Sequence, residues 1–134
     1  QAKNDQEARE YHAKNILSDY YLMSSNAFTA DGQLVNIDGN GNRVSCLCYG
    51  PKHVIIVMSM NKMCATVEEA CDRIRQHACP PNAIRLNLDT PCAKTGFCAE
   101  CTSTSSICAS FVTTRMSRYP DRIKVILVGE PLGF

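Results

Sequence analysis

His53–Met58 (HVIIVM) and Thr66–Pro81 (TVEEACDRIRQHACPP) read as a strand followed by a helix, and the rest of the 134-residue chain is placed around them. The first run is almost purely β-branched and lacks polar alternation, the pattern of a parallel strand covered on both faces. In the second, Thr66 and Glu69 form a capping box. Val67, Ala70, Cys71, Ile74 and Ala78 then fall on one helical face, and Glu69 precedes Arg73 by one turn. Pro80 and Pro81 are expected to end this helix, with a short helix from Pro81 to Leu86.

Upstream, residues 3–17 give an incomplete helical stripe through Ala8, Tyr11, Ile16 and Leu17. Tyr20–Ser24 and Gln33–Ile37 read as short strands flanking a turn over Asn26–Asp31. Asp38–Arg43 (DGNGNR) is a Gly/Asn loop, and Val44–Tyr49 a short helix closed by Gly50-Pro51. Downstream, residues 89–109 carry little periodicity, while Ser110–Thr114 and Arg122–Val128 read as strands. This order predicts an α/β fold, a mostly parallel sheet with helices on both faces, in one domain over residues 1–134. An open sheet of this kind ordinarily starts with a strand, so the chain is expected to be the C-terminal fragment of a longer domain.

Fourteen basic residues against thirteen acidic ones leave a net charge of +1. No polyanion-binding field arises from that balance, so nucleic acid is not an expected partner. No apolar run reaches the roughly 18–20 residues of a membrane span. The nine cysteines are odd in number and accompany Val/Ile runs able to build a core, which favours a reducing, cytoplasmic setting over a disulfide scaffold. Cys46, Cys48, Cys64 and Cys71 sit among apolar residues and read as small core side chains.

Gly39 and Gly41 let backbone N–H groups approach a ligand closely, and Arg43 offers a fork for phosphate or carboxylate. The same loop also reads as a tight strand-to-helix connection that binds nothing. It is not a P-loop, because the Gly-Lys-Ser/Thr ending is absent. Ser24-Ser25-Asn26-Ala27, Asp31-Gly32, Leu34-Val35-Asn36 and the Gly-Asn-Gly-Asn-Arg stretch together resemble the lactate-utilisation (LUD) domain family. Asn82–Val112 and Arg122–Phe134 resemble the C-terminal half of such proteins. More distantly the chain is similar to the clan of ribose-5-phosphate isomerase, glucosamine-phosphate deaminase and CoA-transferase. The resemblance implies that the loop faces a substrate. It thereby marks Asp31, Asn36, Asp38, Gly39, Asn40, Gly41, Asn42 and Arg43 as candidate ligand-binding residues. The isomerases of the clan use acidic residues and a lysine here; Asp31 and Asp38 are in place, but Asn36 stands where the lysine is expected. No glutamate has the context of a CoA-transferase nucleophile.

Cys92, Cys98, Cys101 and Cys108 are separated by five, two and six residues. The central pair, with two residues between, brings two thiolates together by local chain reversal, and the flanking cysteines complete four ligands. Four thiolates suit zinc or an iron–sulfur cluster. Gly96 and its small neighbours let the backbone wrap, Lys94 is placed to offset thiolate charge, and Cys79 is placed to substitute for any of the four. Structural thiols and disulfides are the alternatives. His53 and His77 read as packing and helix-terminal residues, and Arg115, Arg118, Arg122 and Lys124 as a solvated basic run.

Three functions stay open at this point. One is a redox-associated protein of lactate or organic-acid use, with a small anionic ligand, redox partner proteins and self-association. A second is a clan enzyme acting on a sugar phosphate or acyl-CoA, with Asp31 or Asp38 as acid/base. The third is a non-catalytic interaction module.

Overall fold

A computed structural model describes residues 3–134, and Gln1 and Ala2 lie outside it. Helix α1 (Asp5–Ile16) starts where Asn4 accepts the Glu7 N–H at 2.9 Å, a side-chain cap on an otherwise orphaned donor. Strands β1 (Tyr20–Met23), β2 (Ala27–Thr29) and β3 (Leu34–Asp38) precede helix α2 (Asn42–Cys48). Then come β4 (His53–Ser59), a 3₁₀ turn at Met60–Lys62 and the two-residue β5 (Met63–Cys64). Helices α3 (Val67–Arg73), α4 (Cys79–Arg85) and α5 (Pro91–Thr95) lead to β6 (Ser110–Thr114) and β7 (Ile123–Val128).

The fold is mixed α/β with mostly parallel pairing, but its strands divide into two sheets. β1, β4 and β7 form a wholly parallel sheet with β4 at its centre. β5, β2, β3 and β6 form a second sheet, parallel only between β2 and β5. The turn expected over Asn26–Asp31 is in fact β2 plus its hairpin corner. Three residues carry too little periodicity to announce a strand; pairing on both sides creates it.

Met23, Phe28, Leu34, Leu47, Val54, Ile56 and Met58 form one core. Ala27, Val35, Ile37, Cys64, Ala70, Ile74 and Ala78 form another beneath α3. One face of the three-stranded sheet is covered over β1 and β4; on the other, Tyr20, Leu22 and Ile126 are exposed, so helices do not flank it on both sides.

The capping box closes as expected: Thr66 Oγ1 accepts the Glu69 N–H at 3.1 Å, and Glu69 reaches back to the Ala65 N–H at 2.6 Å. Pro80 and Pro81 do not end the helix. They have no N–H to give to the preceding turn, and the chain widens into a π turn over Ile74–Ala78 before continuing as α4. Arg122 is no solvated residue: it is 8% exposed and donates to the carbonyls of Cys46 (2.9 Å), Leu47 (2.7 Å) and Pro51 (3.0 Å). It thus ties the end of α2 to the start of β7. Cys48 is exposed rather than packed.

Candidate functional site

Asp38 ends β3, and its carboxylate accepts the Gly41 N–H at 2.8 Å, which folds the Gly/Asn loop back on itself. Gly41 has a φ of 77°, a left-handed value that glycine adopts at little cost. Gly39 lies against Ile107: a Cβ there would stand 3.2 Å from the Ile107 Cα. The loop is thereby pressed onto the cysteine-bearing segment that precedes β6.

The guanidinium of Arg43 faces inward. Nη1 donates to Asn36 Oδ1 (2.7 Å) and the Ser24 carbonyl (3.2 Å), and Nη2 to Asn26 Oδ1 (2.7 Å) and the Ile37 carbonyl (3.0 Å). Nε stands 3.3 Å from Asp38 Oδ2. All five donors have a protein partner, so the fork locks the loop to β3 rather than pointing it at solvent. Asn36 is fully buried within this network.

A cavity of about 680 Å³ opens beside the loop. Asp38, Gly39, Asn40, Asn42 and Arg43 line it, while Asp31, Asn36 and Gly41 do not. Asp31 sits at the exposed β2–β3 corner, where the Thr29 hydroxyl and then the Gln33 amide, 2.9 Å away, hold its carboxyl below the usual range. Lys62, unmarked in the sequence because it follows a core strand without a motif, also lines the cavity.

The second cavity, about 260 Å³, is walled by Cys79, Cys92, Cys98, Cys101 and Cys108 together with Arg75 and Glu100. Cys79, Ser106 and Ile107 line both cavities, so the two sites share a wall. Cys79 is delivered by the π turn, and its Sγ is 3.4 Å from that of Cys108. This hydrogen bond, and after it burial, push the Cys79 thiol well above its ordinary range, while the same hydrogen bond holds Cys108 down at about 7 against its own burial. Between Cys98 and Cys101, Glu100 adopts a φ of 51°, a left-handed value that non-glycine residues rarely take. Arg75 ion-pairs with Glu100 and fixes it there. The Glu100 N–H donates to Cys98 Sγ at 3.5 Å, and the Thr90 hydroxyl is 3.3 Å from Cys92 Sγ.

Lys94 does not face the sulfurs. It pairs with Asp89 at 2.6 Å in the open, and Arg75 is the cation beside the thiols. All nine cysteines are free. Among the described residues, no three His, Cys, Asp or Glu side chains stand close enough together to hold a metal ion as arranged. Nor is any described helix long and apolar enough to cross a membrane.

Cys79 and Cys108 are nonetheless near the separation of about 3.8 Å that zinc–sulfur bonds of about 2.3 Å impose on two tetrahedral ligands. The remaining thiols face the same cavity, which is several times the roughly 30 Å³ share of one water.

A family model described as LUD domain matches residues 1–128. No curated protein and no solved structure matches the chain.

Proposed function

This chain belongs to the lactate-utilisation (LUD) domain family, and on that premise we propose that it is a redox-associated protein of lactate or related organic-acid use, holding an iron–sulfur cluster. The cluster's ligands are drawn from Cys92, Cys98, Cys101 and Cys108, with Cys79 as the fifth thiol of the pocket. The observation that supports this is that all five cysteines line one cavity, although they are contributed from α4, α5 and the irregular segment before β6.

A bound cluster supplies one-electron chemistry, passed to or from redox partner proteins. The chain's own residues do the rest. Arg75 offsets thiolate charge, and the Glu100 N–H gives Cys98 sulfur a hydrogen bond. The adjoining cavity, with Asp38, Gly39, Asn40, Asn42 and Arg43 in its wall, takes a small anionic ligand beside the redox centre. The sugar-phosphate and acyl-CoA readings have less support. They need a free acid/base, whereas the Asp38 carboxylate is held by Gly41 and Arg43, and Asp31 lies outside the cavity.

Electron paramagnetic resonance of the anaerobically prepared full chain tests the reading. Dithionite reduction is expected to produce a cluster signal that Cys98→Ser with Cys101→Ser removes. A silent spectrum before and after reconstitution with iron and sulfide overturns it, and stoichiometric zinc in its place assigns the thiols to a structural ion.

A further inference from the structure

We propose that Lys62 is the charge that anchors the ligand of the larger cavity, and that the ligand carries a dianionic group, a phosphate or a pair of carboxylates. This rests on the reading of the Asp38–Arg43 wall as part of an anion site, and it names the residue that sequence comparison within the loop does not supply.

Lys62 closes the 3₁₀ turn after β4 and is only 6% exposed. Its ammonium has neutral partners alone, Ser24 Oγ at 3.3 Å and the Ser25 carbonyl at 3.4 Å. Among the described residues, no carboxylate oxygen lies within 4.0 Å of it. Burial first, then the neighbouring Arg73 and Arg43, hold its pKa below the usual lysine range. A buried ammonium without a counter-ion is costly, and an anion arriving from solvent removes that cost.

The rest of the wall has the same sign. Arg43, Lys62 and Arg85 line the cavity against Asp38 as the lone acidic side chain. Arg43 is matched by Asp38, and Arg85 has an amide partner, donating to Asn82 Oδ1 at 2.8 and 3.1 Å. Two positive charges are therefore left over, the complement of a dianion. Asn26, Asn40, Asn82, Ser105 and Ser106 surround them with amides and hydroxyls for the body of the ligand. At about 680 Å³ the space lies within the usual range for metabolite pockets.

The test is calorimetric titration and thermal unfolding of the full chain at pH 7 with inorganic phosphate, malate, lactate and, at matched ionic strength, chloride. Phosphate or malate is expected to bind and raise Tm, lactate more weakly and chloride not at all. Which of the two dianions binds better separates a phosphate site from a dicarboxylate site. Lys62→Met is expected to weaken that binding about tenfold or more, while Lys62→Arg retains most of it. Circular dichroism and Tm without ligand establish that each variant is folded, and Arg85→Ala supplies a second variant, expected to weaken the same dianion. Wild-type binding that Lys62→Met leaves unchanged overturns the role of Lys62 alone. An absence of dianion binding to the wild type overturns the anion site itself.

Discussion

Replacing Arg43 by methionine is expected to cost stability before it costs any ligand. The guanidinium holds five acceptors at 2.7–3.3 Å, including the carboxylate of Asp38, which is 7% exposed. Removing one partner of a buried ion pair typically costs about 3–5 kcal/mol. Here Asp38 keeps the Gly41 N–H and Asn36 Oδ1 keeps the Asn26 N–H, so the loss belongs at the lower end, about 3 kcal/mol. For a domain of this length the unfolding entropy is roughly 0.3 kcal/mol/K, which turns that loss into a Tm decrease of about 10 °C. Urea and thermal unfolding followed by circular dichroism measure both quantities. A variant within about 1 kcal/mol of wild type that has lost phosphate or malate binding would refute the reasoning. Arg43 would then be a free clamp, as the sequence alone suggests.

Arg122→Met strands the carbonyls of Cys46, Leu47 and Pro51 and is expected to lower stability by about 3 kcal/mol in the same unfolding assay. Lys62 has a lowered pKa when folded, so between that value and the ordinary lysine value of about 10.4 the unfolded chain binds more protons. Stability should therefore rise with pH across that window in the wild type relative to Lys62→Met, measured by urea titration at several pH values. Parallel curves would place Lys62 in an ordinary environment. Without bound metal, the alkylation rate of Cys108, followed by peptide mass spectrometry, should titrate with a midpoint near 7. Cys79→Ala should move that midpoint up, because the hydrogen bond between the two thiols is what holds Cys108 down.

What could be read from the sequence was what is local. The β-branched run of β4, the Thr66–Glu69 box and the terminal strand each announce themselves within a few residues, and each forms where the pattern puts it. What escaped depends on partners distant in the chain. β2 and β5 have three and two residues and exist through pairing. Arg122 looks like one of a basic run until carbonyls more than seventy residues earlier surround it. Lys62 carries no motif and becomes notable only because Ser24 and Ser25 bury it. Lys94 and Arg75 exchange expected roles for a similar reason. Lys94 finds Asp89 five residues away, whereas Arg75 is swung to the thiols by a π turn that helical periodicity does not register.

Iron and acid-labile sulfide, counted per chain in anaerobically prepared protein, bear most directly on the sulfur-lined pocket. Matching, near-stoichiometric amounts of both are expected, falling together when Cys98 and Cys101 are replaced by serine. Protein that holds neither, takes up neither on reconstitution, and is indifferent to those replacements would leave five neighbouring thiols with no cluster to hold.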